Sequence, residues 1–160
     1  MTTYLVTGAC GFIGANFVHD VLAREPEATV VALDNMSFAA NEANLDGVRD
    51  RIHLVVDDIC NFTGMIEVYG KFQPDFVVNF AAESHNDRAV VDPSAFARTN
   101  ALGAQILLEA SRRHPVKRHL HVSTIEVYGE LPASADCFTE ASPLNAKTPY
   151  SAAKAAGDQF

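Results

Sequence analysis

The sequence is short of cysteine, of basic charge and of long apolar runs, and each shortage excludes something. Its three cysteines, Cys10, Cys60 and Cys137, stand far apart, odd in number and without CxxC spacing. That argues against a disulfide framework and a structural zinc, and a reducing cytoplasm is the expected location. Lysine and arginine total 12 against 20 acidic residues, a formal charge of −8. A surface of that sign repels phosphate backbones and acidic lipid, so no nucleic-acid or membrane partner is expected. No apolar run approaches a bilayer-spanning length. The opening MTTYLVTGACGF has neither the basic region nor the cleavage site of a signal peptide. Internal repeats and low-complexity tracts are absent. Histidines and carboxylates are scattered without ligand spacing, so no metal is expected.

What is present is a regular alternation of short apolar runs and helical patterns. The 160 residues, 48% hydrophobic and 20% charged, are enough for one domain with a real core. Strands are predicted at Thr3–Thr7, Thr29–Asp34, Ile52–Val56, Asp75–Phe80 and Arg118–Ser123. A helix follows the first strand, with Ile13, Phe17, Val18, Val21 and Leu22 at buried spacing. Others are predicted from about Asn61 to Phe72 and from Ser94 to His114, the latter burying Phe96, Leu102, Ile106 and Leu107. Thr148 and Pro149 open a last helix, and Gly129 to Lys147 reads as a long loop. Strands alternating with helices imply an α/β, Rossmann-type doubly wound parallel sheet with helices on both faces. Short, valine-rich strands suit a sheet covered on both sides. Residues 1–160 are read as one dinucleotide-binding domain, incomplete at its C-terminal end, with a further substrate domain expected beyond it.

The chemistry begins at TGACGFIG. Gly8 permits a tight turn, Gly11 leaves room for a pyrophosphate, and Gly14 lets the helix pack closely. The helix N-terminus then offers free N–H groups to phosphate. Asp34 ends the second strand about twenty residues on, where a carboxylate would take both ribose hydroxyls of NAD and repel the extra phosphate of NADP. Tyr150 and Lys154, four apart, share a helix face, and an ammonium beside a phenol would lower its pKa. His85 and Asp87 follow the fourth strand, where they would touch a ligand or order the loop. His119 and His121 on the fifth strand are read as satisfying local hydrogen bonds, and Cys10 as a small apolar filler.

The GxxGxxG loop, the strand end Ser123-Thr124 and Tyr150-x-x-x-Lys154 together resemble the extended short-chain dehydrogenase/reductase family. AAESHNDR (Ala81–Arg88), FARTN (Phe96–Asn100), HVST (His121–Thr124), EVYGE (Glu126–Glu130) and TPYSAAKAA (Thr148–Ala156) are most similar to its nucleotide-sugar branch, among the dTDP-glucose 4,6-dehydratases. The resemblance covers essentially the whole chain. It implies a lyase with tightly bound NAD, a nucleotide-diphosphate sugar as substrate, deoxysugar biosynthesis as the pathway and a homodimer. Cofactor contacts would come from Gly8, Gly11, Phe12, Ile13, Gly14, Asp34, Asn35 and Ser37, and from Asp58 and Ile59 around the adenine. Phe80, Ala81, Ala82, Ser84, Thr99, Tyr150 and Lys154 would complete them, with Asn100 supporting the framework. Substrate would meet Ser84, His85, Thr124, Glu126 and Tyr150. In the implied reaction Tyr150 and Thr124 act at the sugar 4-hydroxyl, carbon 4 gives a hydride to NAD, and Lys154 holds Tyr150 and the nicotinamide ribose. Glu126 takes the proton from carbon 5, water leaves, and hydride returns to carbon 6.

One position departs from that pattern. The typical enzyme has an aspartic acid before the glutamate, to protonate the departing 6-hydroxyl, and here it is Ile125. A positioned general acid is worth on the order of 10²–10⁴ in rate. Glu126 could serve as base and then acid, as the related GDP-mannose 4,6-dehydratases lack that aspartate too, or a water could act. Alternatives are a 4-epimerase, a decarboxylase, an oxidase, an inactive protein or a non-catalytic NAD-binding module. Ile125 also has a plain reading as strand packing.

Overall fold

Five parallel strands form the centre of the computed structural model, which describes residues 1–131, 133 and 137–160. β1 (Thr3–Thr7) is followed by α1 (Phe12–Arg24), β2 (Thr29–Asp34), β3 (Ile52–Val56), α2 (Phe62–Phe72) and β4 (Phe76–Asn79). Then come α3 (Asn86–Val91), α4 (Pro93–Phe96), a π-helical stretch (Ala97–Gly103), α5 (Ala104–Arg113), β5 (Arg118–His121) and α6 (Pro149–Asp158). The order across the sheet is β3-β2-β1-β4-β5, and every pairing is parallel.

Alternation along the strands builds two cores. Leu5, Val31, Leu33 and Val77 point to one face, where Met65, Val68 and Tyr69 of α2 and Ile106 and Leu107 of α5 cover them. Their neighbours Val6, Val30 and Ala32 point to the other, under Val18, Val21 and Leu22 of α1 and Leu45. Leu5 and Val6 are both fully buried, worth about 1.5–3 kcal/mol each relative to exposure. The sheet is therefore doubly wound, with helices on both faces. β2 and β4 lie on opposite sides of β1, so the chain reverses direction there and opens a crevice at the carboxyl ends of those strands.

Several expectations need correction. The edge strands are not covered on both sides: β3 and β5 alternate between exposed and half-buried residues. Ile13 and Leu102 are 61% and 48% exposed; Ile13 faces the crevice rather than the core. The long helix runs unbroken from Pro93 to Arg113, as expected, but its middle, Ala97–Gly103, is π-helical between α4 and α5. Asp92 caps α4 by accepting from the Ala95 N–H at 3.3 Å. A π stretch adds a residue to the turn and often marks a functional site; here it carries Thr99 and Asn100. The short α3 went unpredicted, and β4 and β5 are shorter than the apolar runs that signal them. Between Gly129 and Lys147 the described residues form no helix or strand.

Candidate active site

The crevice is built from the glycine loop outward. Gly8 has φ +66°, and a Cβ there would stand 2.7 Å from the Ala81 amide nitrogen and 2.9 Å from the Phe80 carbonyl carbon. Glycine is required twice over, by the left-handed backbone and by the loop after β4 lying against it. At Gly14 a Cβ would strike the Gly8 carbonyl, so the bare backbone lets α1 sit on the loop. Gly11 is the N-cap of α1 and supplies no side-chain hydrogen bond. The first-turn N–H groups of α1, beside Phe12 and Ile13, therefore remain free for an anion.

Asp34 closes this loop from below. Its carboxylate accepts from the Cys10 N–H at 2.9 Å and from the Met36 N–H at 2.9 Å. One side chain thus ties the glycine loop to the turn after β2, where Met36 adopts φ 56° and Ser37 N–H donates to Asn35 Oδ1 at 3.1 Å. Each carboxylate oxygen keeps a lone pair for a ligand. Cys10 is fully buried, and burial, with the Asp34 charge, pushes its thiol up to about 11, as suits a filler.

Above these parts lies a cleft of about 420 Å³, within the size range of small-molecule sites. It brings together Gly8, Gly11, Phe12, Ile13, Gly14, Asp34, Asn35 and Ser37 with Ile59, Phe80, Ala81 and Ala82. Ser84, His85, Thr99, Tyr150 and Lys154 line it as well. Asp58 does not: its carboxylate accepts from Cys60 N–H at 2.8 Å and lies 3.9 Å from Arg98. Asp57 lines the cleft instead. In the pair VDD either aspartate could have faced inward, and the alternation from Val55 and Val56 was the available signal. Ser123 of the strand-end motif lines the cleft too, and Leu33, Ala39, Ala40, Glu83 and Val122 join it without having been named as site residues. Among the described residues the fit to a dinucleotide is good: a glycine cradle that any Cβ at Gly8 or Gly14 would close, a carboxylate at the second strand end, and a buried cation opposite.

The reactive end is set by caps. Thr148 and Ser151 form a capping box at the start of α6 with Pro149 at its first position, which aims Tyr150 at the cleft. Its ring packs edge-on against Phe96, centroids 6.3 Å apart. Asn100, 1% exposed, accepts from Glu83 N–H at 2.9 Å and donates to the Glu83 carbonyl at 2.8 Å, fixing the loop after β4. His85 meets Phe38 edge-on at 5.6 Å; Asp87 sits in the first turn of α3, outside the cleft lining.

Burial raises the Tyr150 pKa; its hydrogen bond with Thr124 opposes this and the Glu126 charge adds to it. This corrects the expected effect of Lys154. The Lys154 ammonium donates instead to the Val122 carbonyl at 2.5 Å, and burial lowers its own pKa. Thr124 and Glu126 stand outside the cleft lining. Thr124 caps a 3₁₀ turn (Ile125–Tyr128), accepting from Glu126 N–H at 3.3 Å. Both Glu126 carboxylate oxygens lie 3.3 Å from the Asn86 amide nitrogen. Ile125 is not strand packing: it is 67% exposed and borders a shallow hollow with Tyr128 and Phe138. His119 meets Ser111 at 2.9 Å, and its Nε2 is buried without a partner.

Comparison with known proteins extends this geometry. A family described as GDP-mannose 4,6 dehydratase matches residues 5–160. A dTDP-glucose 4,6-dehydratase of Mycobacterium tuberculosis is 44% identical over 157 residues, 98% of this chain and 46% of that protein. The crystal structure of DesIV, a dTDP-glucose 4,6-dehydratase from Streptomyces venezuelae with NAD and TYD bound, superposes with TM-score 0.91 at 40% identity. That match covers 99% of this chain and 50% of the other. A UDP-glucose 4-epimerase of Thermus thermophilus in complex with NAD gives 0.87 at 32% identity, over 99% and 49%. The chain spans about half the length of these relatives.

Proposed function

This chain belongs to the family described as GDP-mannose 4,6 dehydratase, and from that premise we propose that it is the cofactor-binding part of an NAD-dependent nucleotide-sugar 4,6-dehydratase, a hydro-lyase, with dTDP-glucose as substrate. The observation that carries the reading is a single cleft in which the glycine loop, Asp34, Tyr150 and Lys154 meet. Bound there, NAD would supply a reversible hydride acceptor, so that oxidation at carbon 4, loss of water across carbons 5 and 6, and reduction at carbon 6 close on one another.

The remaining work falls to this chain's own side chains. Gly8, Gly11, Gly14 and the free N–H groups of Phe12 and Ile13 would hold the pyrophosphate. Asp34, Asn35 and Ser37 would hold the adenosine ribose, with Ile59 and Asp57 at the base. No basic side chain lies between Asp34 and Asn44, and an uncompensated carboxylate there favours NAD over NADP. Phe80, Ala81, Ala82 and Thr99 would form the wall toward the nicotinamide, and Lys154 would meet its ribose. Ser84 and His85 would meet the sugar. Tyr150, whose pKa Thr124 draws downward against burial, would take the 4-hydroxyl proton. A phenol raised above its usual range is protonated at neutral pH, so it becomes a base only when positive charge approaches it. Glu126, held by Asn86, would take the proton at carbon 5. With Ile125 unable to donate, Glu126 would return that proton to the departing 6-hydroxyl.

The same reading makes the protein a cytoplasmic homodimer in deoxysugar biosynthesis. The free thiols and the likeness to bacterial dehydratases support the cellular part. No described helix is long and apolar enough to cross a membrane. A second reading, a nucleotide-sugar 4-epimerase or decarboxylase, is favoured by the exposed Ile125, because neither reaction expels the 6-hydroxyl. A third, a non-catalytic NAD-binding module, is favoured by Thr124 and Glu126 standing outside the lining of the cleft.

One experiment separates the three. The full-length protein is incubated with NAD and dTDP-glucose, beside Ile125→Asp and Glu126→Gln, and the product is weighed by mass spectrometry. Loss of one water with a 4-keto product in the wild type, abolished by Glu126→Gln, is expected. Unchanged mass with an inverted carbon 4 makes it an epimerase. NAD that stays bound and oxidised makes it a binding module.

A further inference from the structure

Lys154 is 2% exposed, and a buried ammonium is costly unless its N–H groups find acceptors. The Val122 carbonyl takes one. His121 Nε2, 3.5 Å away, stands in the direction of another. Behind it, His121 Nδ1 is 3.0 Å from the Asn79 side-chain amide. The other end of that amide is 2.6 Å from Thr7 Oγ1, which also accepts the Ala81 N–H at 3.3 Å. Thr7 and Asn79 are 0% and 1% exposed. A row of polar side chains thus crosses β1, β4 and β5 through an otherwise apolar sheet and ends beneath α6. Gly157 seats the helix on it: a Cβ there would lie 3.3 Å from His121 Nε2.

We propose that His121 is a positioning residue for Lys154, a neutral imidazole whose bare Nε2 accepts from the ammonium and holds it in the cleft beside Tyr150. This rests on the NAD reading above. An ammonium only donates, so Nε2 must carry no proton and the ring hydrogen belongs on Nδ1. Asn79 must then offer its oxygen to Nδ1 and its NH₂ to Thr7. The two ends of an amide have nearly the same shape, so that orientation fits the same space. The charged or titratable groups facing the ring are Lys154 and Asp158 of α6, the latter 3.9 Å away, and His119 of β5. Ser123 already engages Asp158. Burial and the Lys154 charge hold the imidazole below its ordinary range against the pull of Asp158, so it is neutral at pH 7. Protonating it places a second cation beside the first and drives the lysine from its seat.

The test uses this chain with His121→Gln and His121→Phe. Nitrogen-15 NMR of the histidine rings gives the tautomer, carbon-13 NMR of the lysine side chains gives the Lys154 titration, and fluorescence gives NAD affinity across pH. Expected are an Nδ1–H tautomer in the wild type and a further fall of the Lys154 titration in His121→Phe, with NAD bound about tenfold more weakly. His121→Gln, which keeps an acceptor at similar reach, restores both and removes the loss of affinity on the acid side. An Nε2–H tautomer, or a Lys154 titration unmoved in His121→Phe, overturns the proposal. If His121→Phe fails to fold, the wild-type tautomer and the glutamine pH profile decide. If the wild type binds no NAD, the cofactor reading fails, while the lysine titration still judges His121.

Discussion

Two glycines with positive φ provide an internally controlled test of how the glycine loop is held. Gly8 and Gly47 have φ +66° and +83°, so alanine at either pays the left-handed backbone penalty of about 1–2 kcal/mol. They differ in what surrounds them. Gly47 has nothing within 4 Å of an added Cβ, whereas Gly8 has Ala81 and Phe80 backbone at 2.7–2.9 Å. Backbone cannot step aside as a side-chain tip can, and overpacking of this kind adds about 1–3 kcal/mol. Gly47→Ala is therefore expected to cost about 1–2 kcal/mol, and Gly8→Ala about 2–5 kcal/mol. At roughly 2–4 °C per kcal/mol for a chain of this size, the two melting temperatures separate by several degrees. Differential scanning calorimetry with and without NAD reads both the intrinsic loss and the ligand's stabilisation, which Gly8→Ala alone should lose. Equal melting temperatures for the two variants would refute the claim that the loops after β1 and β4 lie against each other. So would a Gly8→Ala protein that NAD stabilises as well as the wild type.

Three further outcomes follow from single contacts. Asp34→Asn removes the charge but keeps one acceptor; NAD affinity should fall about tenfold while discrimination against NADP weakens, as fluorescence titration with each cofactor would report. Asn100→Ala removes the partner of the half-buried N–H and carbonyl of Glu83, at about 0.5–1.5 kcal/mol for each hydrogen bond lost, read by urea denaturation beside Asn100→Asp. His119 is pushed down to about 4, chiefly by burial, so the unfolded chain, titrating near 6.5, binds more protons between those values. The stability from a neutral His119 is complete above about 6.5 and drains away as pH falls toward 4. His119→Gln should flatten that part of a stability–pH curve measured by urea midpoints.

The fold was legible wherever one local pattern decided it. Thr3–Thr7, Thr29–Asp34 and Ile52–Val56 stand where the valine-rich runs put them, and the alternation of Leu5 with Val6 settles which core each joins. What could not be read depends on position in the sheet. IHLVV looks as apolar as TVVALD, yet β3 is an edge and β2 is interior, and no residue in either run records that. The π stretch from Ala97 to Gly103 is hidden for a similar reason. Its sequence has ordinary helical spacing, and the missing Cβ of Gly103, which would collide with Ile59 at 2.5 Å, makes sense only once β3 and α2 have brought Ile59 there.

The site divides along the same line. Glycines and Asp34 act through backbone shape and strand ends, which spacing encodes, and the cleft contains them. The state of Tyr150 and Lys154 is not encoded in their spacing. Four residues along a helix bring both side chains to the cleft, but the acceptors for a buried ammonium are supplied by the end of β5 and the residue after it, and the nearest is the Val122 carbonyl. The lysine is thereby drawn toward the sheet, and burial and Glu126 leave the phenol raised. A motif read as an activated pair is, in this structure, a phenol whose pKa burial raises and an ammonium that donates to the Val122 carbonyl. On the proposed reading, the side chain that sets how firmly Lys154 is seated is His121, 3.5 Å from its ammonium, a residue the sequence offers only as one more histidine on a strand.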